Sequence, residues 1–294
     1  MKLKGKKMQN QISDHRKLGI RKIKNKLFKF SIILFSIIAI LPLFFILGFI
    51  IKKGIETFSL NLFLFSTRPV GEPDNGILNA IVGTFIMVIS ASIFASIFGI
   101  IIGLFLSENK GKKLYTPVRL TAEIIQGIPS IVIGIITYII CVKPFKHFSA
   151  FAGSVSLFIM MLPSVIINTE ETISRIPYTI KEAAIALGVP YYKTILKVIL
   201  PSGISGILSG ILVGIARIAG ETAPLLFTAF GNQFLSFNFN KPINAIPLVI
   251  FNYTMSPYPE LHEIAWSAAF VLVIFVLLIN LIAKSGAKKW KIEY

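Results

Sequence analysis

The chain has 294 residues, of which 54% are hydrophobic and only 15% charged, with one cysteine and a formal net charge of +17. A soluble domain carries about 25% charged residues, and the apolar residues here gather into runs long enough to cross the ~20-residue span of a bilayer, so a water-soluble globule is excluded. A lone Cys141 rules out an intramolecular disulfide. The excess of lysine and arginine reads as membrane topology rather than as a nucleic-acid surface, because basic residues collect in cytoplasmic loops.

In chain order, Met1–Leu27 is a strongly basic tail with little apolar periodicity. It is expected to be disordered and to lie on anionic lipid; a binding arm for nucleic acid or a partner is the alternative. The first apolar run, 28–51, exceeds the roughly 7–15-residue core of a secretory signal and reads as a retained helix. Further spans are expected at 77–106, 119–142, 150–167, 202–230 and 264–283, which makes an all-α polytopic membrane protein with a six-helix domain over 28–283. Four of the spans contain proline (Pro42, Pro129, Pro163 and Pro224), which membrane helices tolerate when neighbours satisfy the freed backbone groups. Residues 284–294 form a short C-terminal tail.

The basic residues supply an orientation. Segments 1–27, 107–118, 168–201 and 284–294, with the boundary residues Lys29 and Arg119, hold 23 of the 30 lysines and arginines. Segments 52–76, 143–149 and 231–263 hold 6, and the remaining one is Arg217. Both termini are therefore expected in the cytoplasm.

The cytoplasmic stretch from Ile180 to Pro201 reads as a short helix, a turn at Gly188 and a second short helix. Gly188 suits a left-handed helix end, and Pro190 suits the first turn of the next helix. Ile195, Leu196 and Ile199 lie at helical spacing, while Lys193 and Lys197 form a separate stripe. In the fifth span, Arg217 and Glu221 stand four residues apart and so share a helix face. Ionised groups at mid-membrane cost about 2.5–3.5 kcal/mol on insertion scales, so the two mark either a substrate pathway or a buried structural pair. Arginine's planar donor fork fits the oxygens of a phosphate, and Thr222 follows the pair. Gly220 is expected to let backbones approach closely, and Pro224 to weaken the helix as a hinge.

Glu182-Ala183-Ala184, Gly188 and Leu200-Pro201 resemble the EAA loop of ABC importer permeases, with Val198 where the family has isoleucine. The resemblance implies that this loop docks on an ATP-hydrolysing subunit and follows its motion. The run Ala216–Ala229 is similar to the signature of the phosphate permeases of type I importers, as are Gly76–Thr84, Gly127–Val132, Met255-Ser256-Pro257 and Ala265-Trp266; together they cover roughly 55–283. One departure stands out: the chain reads Ile167-Asn168-Thr169-Glu170 where that family often has arginine first.

The resemblance implies a type I ABC importer permease fold, with no catalytic residue and no metal or cofactor in this chain. It also implies a homologous permease partner, two ATP-binding subunits carrying ATP and Mg, an extracytoplasmic phosphate-binding protein, and a bacterial inner membrane around them. The residues themselves leave open a permease for another oxyanion (molybdate or sulfate) and an ion-gradient secondary transporter. Histidines 15, 147 and 262 are scattered without metal-ligand spacing, no Gly-x4-Gly-Lys phosphate loop is present, and Glu123 reads as an interfacial carboxylate.

Overall fold

The computed structural model describes residues 2–72 and 74–289, and the chain divides into two units at Lys52 and Lys53. The first unit is the main part of one helix, α1 (Lys2–Glu56). It begins within the basic stretch that ends at Leu27. Lysine, arginine, glutamine and leucine are good helix formers, and no proline interrupts them before Pro42. Between Phe30 and Ile51 α1 is apolar around its circumference apart from two serines, and Phe30, Phe35 and Phe44 are each about two-thirds exposed. A helix of that kind belongs in lipid. Its polar interruptions are satisfied internally, Ser31 and Ser36 donating to the carbonyls of Leu27 and Ile32.

The second unit contains α2 (Asn61–Leu64), α3 (Leu78–Glu108), α4 (Tyr115–Gly127), α5 (Ser130–Thr137), a π-helical turn and α6 (Lys143–Phe145), then α7 (Ala150–Ser174). After these come α8 (Tyr178–Ala186), α9 (Tyr191–Thr194), a second π-helical turn, α10 (Leu200–Ala219), α11 (Ala223–Thr228), α12 (Ile246–Thr254) and α13 (Pro259–Lys289). Among the described residues the β structure is a single isolated bridge, Phe230 to Ile243. Among the described residues five helices are long and apolar enough to cross a membrane, and the pair α4–α5 makes a sixth when counted as one span.

Three of the expected spans differ from what forms. The third is not straight: α4 ends at Gly127, and the chain turns through 104° at Ile128–Pro129 before α5. Pro129 lacks an N–H and forces the preceding residue out of helix; Ile128 is extended, with ψ 132°. The fourth runs to Ser174 rather than 167, because Asn168, Thr169 and Glu170 pack against neighbouring helices and continue the helix. The fifth is interrupted at Gly220–Thr222.

The long helix α7 is the centre of the bundle, packed against α3 on one side and α10 on another. Small residues permit this. A Cβ on Gly99 or Gly103 of α3 would meet Val165, Ile166 and Thr169 of α7. On α10, Gly203, Gly206, Gly210 and Gly214 face Ile173, Thr172, Asn168 and Met161 in turn. In lipid no hydrophobic force drives helices together, so close backbone approach and packing must do it. The core joins Met87, Ala91 and Ala95 of α3 to Leu157, Met161 and Val165 of α7, Ile218 of α10 and Leu225 of α11.

The end opposite the α8–α9 hairpin is tied by the Gly76–Thr84 stretch. Asn79 is buried; its side chain accepts from the Thr67 N–H and donates to the Thr67 hydroxyl and to the carbonyls of Asn232 and Gln233. The Thr84 hydroxyl accepts from the Ile246 N–H at 2.9 Å. Gly83 lies directly under the Asn244 carbonyl, where any side chain would collide. These residues bind the 57–76 and 231–245 connections to the top of α3.

Candidate substrate pathway and coupling hairpin

Two interrupted helices meet inside the bundle. α10 closes at Ala219, Gly220 caps it, and the Gly220 and Glu221 N–H groups bond back to the Arg217 and Ile218 carbonyls. Thr222 then precedes α11, whose first turn contains Pro224. A proline is well placed there, since its missing N–H has no partner in a first helical turn. Pro224 therefore begins a new helix rather than bending an old one, and the expected single hinge is a clean break.

The break faces the bend of the other interrupted pair. A Cβ on Gly134 of α5 would lie 2.7 Å from the Pro224 Cα, so α5 and α11 are in near-backbone contact. Gly220, expected to allow close approach, does not: the nearest atom to a Cβ there is the Arg217 carbonyl at 3.9 Å. The glycine that the contact requires is Gly134. It escapes a reading by sequence because its neighbour is 90 positions away.

Arg217 lies in the last turn of α10 and is exposed on this chain; Glu221 and Thr222 are half-buried in the break. Arg217 and Glu221 make no ion pair within 4 Å, although Glu221 lies within electrostatic reach of Arg217 and beside the Ser130 hydroxyl at the start of α5. Because α10 ends between them, the two do not share a helix face as a four-residue spacing suggests. Gly214 packs on Met161, near the midpoint of α7. Arg217 is about one helical turn, roughly 5 Å, beyond it. The guanidinium is thus free of an intrachain carboxylate lock, which a structural ion pair would require.

A second polar cluster sits where α4 meets α7. Glu170 is 1% exposed, and its Oε1 accepts from the Tyr115 hydroxyl at 2.8 Å and from Arg119 Nη1 at 2.7 Å. Arg119 also donates to Glu123, which is 47% exposed. Sequence reading places Arg119 only as a boundary charge and Glu123 only as an interfacial carboxylate. Their link to Glu170 joins helices 51 positions apart, which no local periodicity reveals. Asn168, next to the departure at Ile167, donates to the Ser164 carbonyl and packs on Gly210.

The hairpin has the expected order of helix, turn and helix. Gly188 is left-handed, with φ +77°, and the Val189 N–H reaches back to the Ala184 carbonyl. Pro190 stands just ahead of α9 as its cap rather than within its first turn. Glu182, Ala183, Gly188 and Pro201 are exposed; Ala184 and Leu200 turn inward. Ile185 and Leu187 are 45% and 84% exposed. Apolar side chains bared beside charged ones on α8 and its turn, outside the candidate spans, form a face that a protein partner can cover. Ile195 and Ile199 bury themselves, while Leu196, placed at the same spacing, is 60% exposed on the far side of the π-helical turn.

Residues 95–289 match the family described as binding-protein-dependent transport system inner membrane component. The chain is 40% identical over 265 residues to the phosphate transport system permease protein PstA of Pasteurella multocida, covering 90% of this chain and 94% of that one. It is 41% identical over 238 residues to PstA of Xylella fastidiosa (80% and 83% covered) and 37% identical over 261 residues to a probable PstA of Methanocaldococcus jannaschii (88% and 92% covered). Among solved structures, the inward-facing MetNI methionine ABC transporter superposes with a TM-score of 0.63 at 19% identity, covering 73% of this chain and 96% of that one. That likeness is one of fold.

Proposed function

Because this chain belongs to the binding-protein-dependent transport system inner membrane components, we propose that it is a membrane-spanning permease subunit of an ATP-driven importer of inorganic phosphate. It pairs with a homologous permease and takes its substrate from an extracytoplasmic binding protein. It rests on two ATPase subunits, which hold the ATP and Mg. It lies in the bacterial cytoplasmic membrane with both termini inside, as the 23-to-6 division of basic residues indicates. The α8–α9 hairpin, with Glu182 and Ala183 outward, is the part that engages the ATPase.

The observation that carries the reading is the helix break at Gly220–Thr222. It holds an uncommitted arginine and a half-buried carboxylate against the α4–α5 bend, in a chain 40% identical to a phosphate permease. An unpaired guanidinium at membrane depth is costly and is satisfied when an anion passes. Arg217 contacts the phosphate oxygens, and Glu221, close enough to feel that charge, orients the guanidinium and competes for it, which limits the residence of the anion. Thr222 adds a hydroxyl at the same level. ATP binding closes the ATPases, the hairpin follows, and the cavity between the two permeases changes its facing.

The test is uptake of labelled phosphate by proteoliposomes containing the assembled complex. Arg217→Gln is expected to abolish uptake while the complex still purifies intact. Uptake at the normal rate overturns the pathway role. Competition by molybdate or sulfate as strong as that by unlabelled phosphate replaces phosphate with another oxyanion as substrate.

A further inference from the structure

The second arm of the hairpin continues through the π-helical turn into α10 and buries Ile195 and Ile199 in the bundle, whereas its first helix, α8, meets the bundle at one carboxylate. Glu108 is the last residue of α3; one of its oxygens, Oε2, accepts from Lys181 Nζ on α8 and from the Tyr191 hydroxyl at the start of α9. The Lys181 ammonium lies 4.9 Å from the Tyr191 ring centroid and 5.6 Å from that of Tyr178, both within range of a favourable cation–ring interaction. Lys181 and Glu108 are only 13% and 16% exposed. Both arms of the hairpin, before and after Gly188, thus converge on one point at the end of a membrane span.

Little else holds α8. Its single buried residue is Ala184, and its other near neighbours are α9 and the turn that follows, parts of the same hairpin. An alanine contributes too little apolar area to fix a helix against an applied load. α3, in contrast, packs along α7 for much of its length, and α7 carries α10 and α11. A path of direct contacts therefore runs from the hairpin through Glu108 to the break that holds Arg217.

We propose that Glu108 is a positioning residue for energy coupling: with Lys181 and Tyr191 it forms a latch that passes movement of the docked hairpin to α3 and so to the pathway. This rests on the reading that the hairpin engages an ATPase. The latch adds to that reading a linkage of α8 to α3, beside the continuous helix that runs from α9 into α10. A coupling carried by one latch is expected to change the transport yield rather than the affinity of the hairpin for its partner.

The experiment compares wild-type and Glu108→Gln complexes in proteoliposomes, scoring recovery of the assembled complex, ATP hydrolysis and phosphate taken up per ATP. For E108Q, assembly and ATP hydrolysis persist, and phosphate imported per ATP falls roughly 5-fold or more, the lower end of measured site-to-site couplings. The charge exchange E108K/K181E recovers most of the ratio. A wild-type ratio in E108Q, or an exchange variant no better than E108Q, overturns the latch. Should E108Q fail to assemble, K181Q and Y191F each remove one arm; wild-type ratios in both overturn it equally. Phosphate uptake by the wild-type complex tests the underlying reading, whereas the variant-to-wild-type ratio tests the latch, so the two failures are distinct.

Discussion

Arg119 joins one buried and one exposed carboxylate, and removing it should show how differently the two count. Arg119→Met leaves Glu170, 1% exposed, with the Tyr115 hydroxyl as its remaining partner. Breaking a buried pair from one side costs about 3–5 kcal/mol. Arg119 is itself 31% exposed, so water replaces part of its contribution, and the lower end, about 3 kcal/mol, is expected. Glu123→Gln removes the other arm; with Glu123 47% exposed, that arm is worth at most about 1 kcal/mol. The double variant Arg119→Met, Glu170→Met removes the stranded charge as well, and replacing both members of a buried pair by apolar groups is often close to neutral. It should therefore be more stable than R119M alone. Thermal unfolding of the detergent-solubilised protein reads the series: a fall of roughly 6–12 °C for R119M, taking about 2–4 °C per kcal/mol, a shift near zero for E123Q, and substantial recovery in the double variant. Equal losses for R119M and E123Q, or a double variant less stable than R119M, refute the reasoning.

Gly134→Ala should cost about 1–3 kcal/mol, the usual range for overpacking, because its Cβ would lie 2.7 Å from the Pro224 backbone; Gly220→Ala, whose nearest neighbour is at 3.9 Å, should leave thermal stability and uptake nearly unchanged. Gly188→Ala meets no atom within 4 Å, so its penalty is the left-handed backbone alone, about 1–2 kcal/mol, and it should weaken co-purification of the ATPase without lowering the melting temperature of the spans. Burial works to lower the pKa of Lys181, but the bond to Glu108 and its charge outweigh that, and the net shift is upward. A raised pKa gives stability that is full below the unfolded value and is lost as pH rises through the folded one. Uptake lost on Lys181→Met should thus be the same at every pH from about 6 to 9, and a deficit that vanishes within that range would contradict the assignment.

The membrane character, the helical hairpin with its turn at Gly188, and the family were legible in sequence. Each depends on residues close together: long apolar runs, a glycine where a helix must end, and motifs spread over one element. The exceptions within that local range are instructive. Ile128–Pro129 and Gly220–Thr222 sit inside runs apolar enough to span a bilayer. Hydropathy sums over both sides of such a break and cannot register that the backbone stops being helical.

Tertiary structure alone decided which side chains meet. Gly134 contacts Pro224, Arg119 reaches Glu170, and Glu108 gathers Lys181 and Tyr191 across 73 and 83 positions. A hydrophobic period says that a helix exists and which stripe is apolar. It does not say how far the helix slides or turns against its neighbours, and in lipid, where the surroundings are as apolar as the core, hydrophobicity does not set that register. Glycine stripes and buried carboxylates set it instead, through contacts that exist only once the helices are side by side.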